Sequence, residues 1–259
     1  MSGYVDFAGV YDRLTSEIDY QKRGRYFDAC IQRHGGKKGI LLDLGCGTGS
    51  MCEVMASLGY DVIGVDSSYE MLMKAVEKRT ASGHDITYLA QSMTELDMFG
   101  TLDVVISTLD SLNHLTEYDD FDKAIAGVAL FLHPDGVFVF DVNTVYKHEK
   151  VLGNNTFVYD MDDVYCVWQN TLLPEHLVQM DLDFFVRDEE DAYTRMEDHF
   201  AERAYTHEEI LSALEHHGMR LEAVYHEDSF DAPKPDSQRL IYVAKMAHSV
   251  QAPPKDNRI

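Results

Sequence analysis

The sequence predicts an α/β fold: a doubly wound, mostly parallel sheet interrupted by an inserted antiparallel β meander. Three observations carry that expectation. Five runs of strand type, Ile40–Leu44, Asp61–Val65, Ile86–Ala90, Leu102–Ser107 and Val137–Val142, alternate with segments of helical periodicity. After Asn143 the alternation stops, and four strand-type runs (156–159, 164–169, 176–187 and 192–204) follow one another between short polar breaks. A helix and two more strands then resume the first pattern.

Taken in order, residues 1–34 form a helical lead-in. Phe7, Val10, Tyr11 and Leu14 recur at i, i+3, i+4 and i+7, and a second helix over 20–33 gathers Tyr26, Phe27, Cys30 and Ile31 on one side. His34-Gly35-Gly36 stops it. The first strand is apolar on both faces apart from Asp43, as a central parallel strand must be. A glycine-rich loop follows, then a helix over 50–58 with Met51, Val54, Met55 and Leu58 inward. The second strand ends in Asp66-Ser67-Ser68, whose serines can cap a helix over 70–78. Glu117–Asp122 opens a helix to about Leu132, and His133-Pro134-Asp135-Gly136 reads as a turn. In the meander, Val178, Met180, Leu182 and Phe184 share one face. Thr206 and Glu209 make a capping box for a helix to 217, and the strands 221–226 and 238–245 close one sheet edge as a hairpin. The tail from His248, with Pro253-Pro254 and Lys255-Asp256, has no core residues to bury and is expected to be disordered.

Composition narrows the function. The 259 residues carry 45 acidic against 22 basic side chains, a formal charge of −23, which repels phosphate backbones and argues against a nucleic-acid substrate. Fifteen acids and three arginines fall within 151–210, so much of this charge lies on the meander. Four cysteines stand in no C-x-x-C pair, which favours free thiols over disulfides or zinc. Neither a secretory signal nor a membrane span is legible, so a soluble cytoplasmic protein is expected, as monomer or homodimer.

The stretch ILLDLGCGTGS, 40–50, organises the rest. A strand–glycine loop–helix unit lets backbone N–H groups approach a ligand. Dinucleotide sites space their glycines G-x-G-x-x-G. Here Gly45, Gly47 and Gly49 give G-x-G-x-G, with Asp43 two residues before the first. An acid there would repel a pyrophosphate, but it suits the ammonium group of a methionine moiety, directly or through water.

D-L-G-C-G-T-G (43–49) resembles motif I of the class I S-adenosylmethionine-dependent methyltransferases. The resemblance implies a Rossmann-like, seven-stranded methyltransferase core that binds S-adenosylmethionine and releases S-adenosylhomocysteine. On the matching positions it implies that Gly45, Cys46 and Gly47 approach the cofactor, that Asp66 accepts both ribose hydroxyls beside Ser67, and that Met71 packs on adenine, or else in the core. Where the family often has an aspartate for the adenine amino group this chain has Gln91-Ser92-Met93, leaving the backbone, Ser92 and Met93 for that contact. Leu109, Asp110 and Asn113 follow the fourth strand and are expected beside the sulfonium. The N-terminal Tyr4, Phe7, Tyr11 and Asp12, together with 140–143 and 152–157, are similar to a group of largely uncharacterised bacterial methyltransferases. The lid after the fifth strand is similar to that of small-molecule N-methyltransferases of amino sugars and glycine. In such relatives the N-terminal helix closes over the cofactor, a role that falls on Tyr11 here.

The implied organisation is an N-terminal helical lid (1–34), a cofactor-binding core (35–143 and 204–247), an antiparallel lid and acceptor region (144–203) and a tail (248–259). Methyl transfer needs no metal. An acceptor that must lose a proton needs a base, for which His114 is the first choice by position, ahead of Asp110, Asp141, Tyr146 and His148. Aromatics of the meander, among them Phe157, Tyr159, Tyr165, Trp168, Phe184 and Phe185, are available to wall an acceptor pocket, although alternation turns half of them away. A small-molecule N- or O-methyltransferase is therefore expected, against a protein or RNA methyltransferase and a non-catalytic cofactor-binding protein.

Overall fold

The alternating elements close into one seven-stranded sheet, and the meander forms a sheet of its own. A computed structural model describes residues 11–247 apart from 14, 16, 189 and 190. Phe7, Val10 and Leu14 of the expected first helical face, and the tail, lie outside the described residues. Strands β1 (Ile40–Leu44), β2 (Asp61–Asp66), β3 (Ile86–Ala90), β4 (Leu102–Ser107) and β5 (Leu132–Asn143) run parallel to one another. Strands β6 (Thr156–Asp160), β7 (Val164–Leu172), β8 (Leu177–Arg187) and β9 (Tyr193–Arg203) form the second, antiparallel sheet. β10 (Met219–His226) and β11 (Arg239–Met246) are a hairpin returning onto β5. The order across the large sheet is β10-β11-β5-β4-β1-β2-β3. Among the described residues, five helices of eight residues or more accompany the strands: α1 (Tyr20–Arg33), α2 (Ser50–Ser57), α3 (Tyr69–Ser82), α4 (Tyr118–Phe131) and α5 (His207–His216).

A parallel sheet buries both faces, and alternation along the strands sorts the core into two layers. Leu42, Leu44, Val105, Phe138 and Phe140 meet Phe121, Ile125 and Val128 of α4 and Ile210 and Leu214 of α5. Leu41, Val104, Ile106 and Val139 meet Phe27 and Ile31 of α1 and Met51 and Met55 of α2 on the other side. α1 is thus core rather than lid: Phe27, Cys30 and Ile31 expose nothing. Residues 20–33 therefore depart from the expected lid, because the apolar side of this helix is what covers the sheet around β1 and β5.

The caps form as expected. Ser68 Oγ accepts the Met71 N–H at 3.2 Å, and the Thr206–Glu209 capping box is closed in both directions. α3 runs past its expected end to Ser82, where Gly83 stops it. The expected turn at 133–136 lies inside β5: Leu132 pairs with Leu102 and Val137 with Val104, so these four residues bulge from the ladder between two paired positions. The proline therefore breaks no ladder bond. In the meander Val164, Cys166, Val178, Met180, Leu182, Phe184 and Val186 line one buried face. The opposite face carries charge, including Arg195 between Asp183 and Glu197 and His199 beside Asp181.

Candidate functional site

The carboxyl ends of β1, β2 and β4 converge where the strand order reverses, since the first strand sits between β2 and β4. Crevices at such points take ligands. Gly47, at the tip of the glycine loop, has φ +53°, and a Cβ there would meet nothing within 4 Å; its bare backbone faces open space. Gly49 has the opposite reason to be glycine, as a Cβ would come within 2.4 Å of the Tyr88 hydroxyl and 2.9 Å of Ala75. Asp66 fastens this loop to the next element. One carboxylate oxygen accepts the Gly47 N–H at 2.8 Å and the other the Ser68 N–H at 2.9 Å. Each oxygen keeps a further lone pair for a ligand hydroxyl.

A clasp not legible in the sequence closes the same loop from outside. Asp12 Oδ1 accepts from Thr48 Oγ1 at 2.7 Å and from Lys78 Nζ at 2.9 Å. Lys78, on α3, also donates to Thr48 Oγ1 and to Ser50 Oγ.

Beyond β4 the backbone does something unusual. Leu109 and Asp110 both take positive φ, 56° and 58°, and left-handed backbone at a residue with a side chain costs about 1–3 kcal/mol. The buried carboxylate of Asp141, at the end of β5, holds this turn by accepting the N–H of Leu109 and of Asp110, each at 2.8 Å. Two guanidinium groups balance its charge, Arg23 from α1 and Arg239 from the start of β11. Arg23 also reaches Asp228 at 2.7 Å, and Arg239 reaches Asp110 at 3.1 Å. Burial pushes both carboxyls up, but Arg239, joined by Lys147 at Asp110 and by Arg23 at Asp141, outweighs it and holds each below the usual carboxylate range. Asp110 and Asp141 are therefore ionised at neutral pH. Asn143 Nδ2 bridges Asp110 (2.5 Å) to the buried Glu202 of β9 (3.0 Å), tying the meander into the same network.

Two cavities lie on either side of this turn. The smaller, about 30 Å³, is bounded by Tyr11, Tyr20, Gly45, Cys46, Gly47, Thr48, Ser50, Met51, Thr108, Leu109 and Ser111. The larger, about 240 Å³, has Tyr11, Thr15, Ile18, Leu109, Asp110 and Arg239 on one side and Tyr159, Cys166, Trp168, Leu182 and Phe200 of the meander on the other. Tyr11 and Leu109 border both. Burial raises the Tyr11 hydroxyl well above the usual tyrosine range, so it stays protonated.

Tyr11, Gly45, Cys46, Gly47 and Leu109 thus stand together at the loop as expected, and Asp110 lies in the larger cavity. Asp66 and Met71 lie at the neighbouring strand end and first helical turn, with Ser67 exposed beside them. Ser92 caps the short turn that carries Met93, and a Cβ on Gly45 would come within 2.4 Å of the Met93 methyl.

Three of the expected residues lie away from both cavities. Asp43 is buried and lines neither cavity; its carboxylate accepts the Cys52 thiol at 3.2 Å, and burial pushes its pKa up to about 7. α2 packs over it through Cys52, which leaves contact through water as the route to a ligand. Asn113 is wholly buried as a joint, donating to the carbonyls of Asn143 and Arg203 and accepting the Asn143 N–H, and so contacts no cavity. His114 is half exposed against Phe200, 3.8 Å from Glu202, and outside both cavities. Of the other base candidates, His148 is buried with Nδ1 on the His176 carbonyl, and Tyr146 borders a separate groove. Among the meander aromatics, Tyr159 and Trp168 wall the larger cavity, Phe157 packs on Trp168, Phe184 is core, and Tyr165 and Phe185 pair on the outer face. Phe200, Arg239 and the Asp12–Lys78 clasp were not expected at all.

Comparison with known proteins agrees with this geometry. Residues 41–136 match the model of a methyltransferase domain. The Bacillus subtilis methyltransferase-family protein YqeM is 33% identical over 95% of this chain and 98% of its own. The crystal structure of an S-adenosylmethionine-dependent methyltransferase from Clostridium acetobutylicum superimposes with a TM-score of 0.87 at 32% identity, covering 93% of this chain and 98% of that one. A glycine/sarcosine N-methyltransferase of Halorhodospira halochloris is 29% identical over 67% of this chain and 64% of its own.

Proposed function

The chain belongs to the S-adenosylmethionine-dependent methyltransferases, and from that premise we propose that it methylates a nitrogen or oxygen of a small-molecule acceptor held beneath the meander. The observation that carries the proposal is the cavity of about 240 Å³ between the turn at Leu109 and the meander. A part-open cleft of that size fits a small molecule better than a folded macromolecule. The glycine/sarcosine N-methyltransferase compared above is named for two small amines, and the charge of −23 disfavours RNA. In this reading 35–143 and 204–247 hold the donor, and 144–203 cover the acceptor.

Bound S-adenosylmethionine supplies an electrophilic methyl group on a sulfonium. The residues align and dehydrate. Asp66 would accept the ribose hydroxyls, Gly47 would allow close approach of the backbone, and Met71 and Met93 would pack near the base. Tyr11 and Leu109, which border both cavities, would stand between donor and acceptor and set the line of attack. Tyr159, Trp168 and Phe200 exclude water and offer ring faces to an amine-bearing body, and Asp110 offers its carboxylate. Held ionised by Arg239, Asp110 is too weak a base to take a proton from a hydroxyl, which favours an amine that arrives neutral.

The test is transfer of labelled methyl from S-adenosylmethionine to pooled small amines, small alcohols, bulk RNA and unfolded protein, each assayed alone. Label in the small-molecule pools supports the reading, and label confined to RNA or protein overturns it.

A further inference from the structure

We infer that Asp122, His216 and His217 bind one divalent transition-metal ion of the zinc class, joining α4 to α5. Among the described residues, three donor atoms of the His, Cys, Asp and Glu type come within 4.8 Å of one another at this place. His217 Nε2 stands 3.0 Å from Asp122 Oδ2, and His216 Nδ1 stands 3.3 Å from Oδ1. A tetrahedral ion with bonds of about 2.0–2.1 Å spaces its ligand atoms by roughly 3.3 Å; each imidazole already stands at about that separation from one oxygen of the shared carboxylate, and a small side-chain rotation would bring the three donors around one ion.

A second observation points the same way. The His217 Nε2 atom is buried and makes no hydrogen bond, although the Asp122 oxygen is near: its lone pair or proton is badly aimed for a hydrogen bond to that neighbour. A metal ion between the two atoms would satisfy both. The place also favours a cation. His216 is the last residue of α5 and His217 its cap, so the negative end of the helix dipole lies here, on a chain of formal charge −23. Two imidazoles with one carboxylate select zinc, nickel or cobalt over magnesium or calcium, which prefer oxygen. His216 is largely exposed, leaving room for water at a fourth position.

The site shares no residue with either cavity near the glycine loop. α4 and α5 pack on the same face of the sheet, so an ion held by both would lock that layer rather than take part in methyl transfer.

The experiment uses the full chain stripped with a chelator, titrated with zinc chloride by calorimetry and with cobalt(II) chloride by visible absorption. One equivalent of zinc, the intense visible bands of tetrahedral cobalt and a raised melting temperature are expected. His216→Ala and His217→Ala should each weaken binding by about 100-fold or more, as even the loss of an outer-shell partner costs 10–100-fold. Asp122→Asn should act likewise from α4 with the side chain's shape kept, which guards against a misfolded histidine variant. S-adenosylmethionine affinity should be the same in every variant. Absence of a one-to-one isotherm overturns the inference, and so does zinc binding undiminished in the His216→Ala/His217→Ala double variant, which would place the ion on other ligands.

Discussion

Asp141→Asn changes almost no volume yet removes the charge around which the site is built. The carboxylate takes four donors: the N–H groups of Leu109 and Asp110, and the guanidinium groups of Arg23 and Arg239. An amide keeps one oxygen and places two N–H groups where the other stood, so one backbone N–H and one guanidinium lose their acceptor. Removing one partner of a buried ion pair costs about 3–5 kcal/mol. At roughly 2–4 °C per kcal/mol for a chain near this size, the melting temperature should fall by about 6–20 °C. Part of the loss falls on the left-handed turn, whose Leu109 borders the donor cavity, so S-adenosylmethionine should bind about 10-fold weaker or worse. Scanning fluorimetry gives the first quantity, and calorimetry well below the melting range gives the second. A shift under about 2 °C would refute the ion-pair argument; a large shift with unchanged cofactor affinity would show that the turn holds itself.

Asp66→Ala should weaken S-adenosylmethionine binding by at least about 100-fold while the fold persists, since two charge-assisted hydrogen bonds of about 1.5–3 kcal/mol each are lost; calorimetry with a melting control decides, and normal binding rejects the ribose role. Trp168→Ala should raise the KM for the acceptor by about 10-fold and leave the dissociation constant of the donor unchanged, which steady-state kinetics separates. Asp43, raised to about 7 by burial from an ordinary value of 3.8, stays protonated in the folded chain between about pH 4 and 7, where the unfolded chain has released that proton. Its contribution to stability therefore falls as pH rises through that window and levels off above it, and Asp43→Asn should melt several degrees higher than the parent at pH 8. An unchanged pH slope of the melting temperature in the variant would contradict this. Asp110 and Asp141 act with the opposite sign: their stabilisation, present above the ordinary carboxylate value, is lost as pH falls below it.

The residues reveal the fold more readily than the site. β1 and β4 begin and end where the apolar runs do, because central strands buried on both faces are mostly apolar; the edge strand β3 also keeps its expected bounds. The start of β5 was illegible, because Leu132 joins the ladder only through its partner Leu102 across a bulge. The glycine loop was legible because its spacing is local. Asp43 was recognised as an anomaly in an apolar strand, but whether it turns to a ligand or to Cys52 depends on the packing of α2. Asn113 and Asp110 are three residues apart in the same loop, yet one turns to Arg203 and the other to the cavity, a division made by β9. The buried charges around Asp141 come from α1, β5 and β11, so no short window contains them. The available signal was a lone arginine heading the apolar run 239–244. Asp122 and His216, 94 positions apart, are equally invisible to spacing.

β11 lies between β5 and β10, so β5 takes its outer neighbour from the end of the chain. On the ribosome, the strands from β1 to β5 can assemble once Asn143 has emerged, while the free edge of β5 waits for the meander and α5 to be made. An unpaired apolar edge invites pairing between nascent molecules. The meander can form during that wait, because β6, β7, β8 and β9 are joined in sequence order and ask nothing of strands not yet synthesised. A chain released after Arg203 should therefore carry a finished small sheet and a sticky large one, and β10 and β11 act as the seal on the strands made before them.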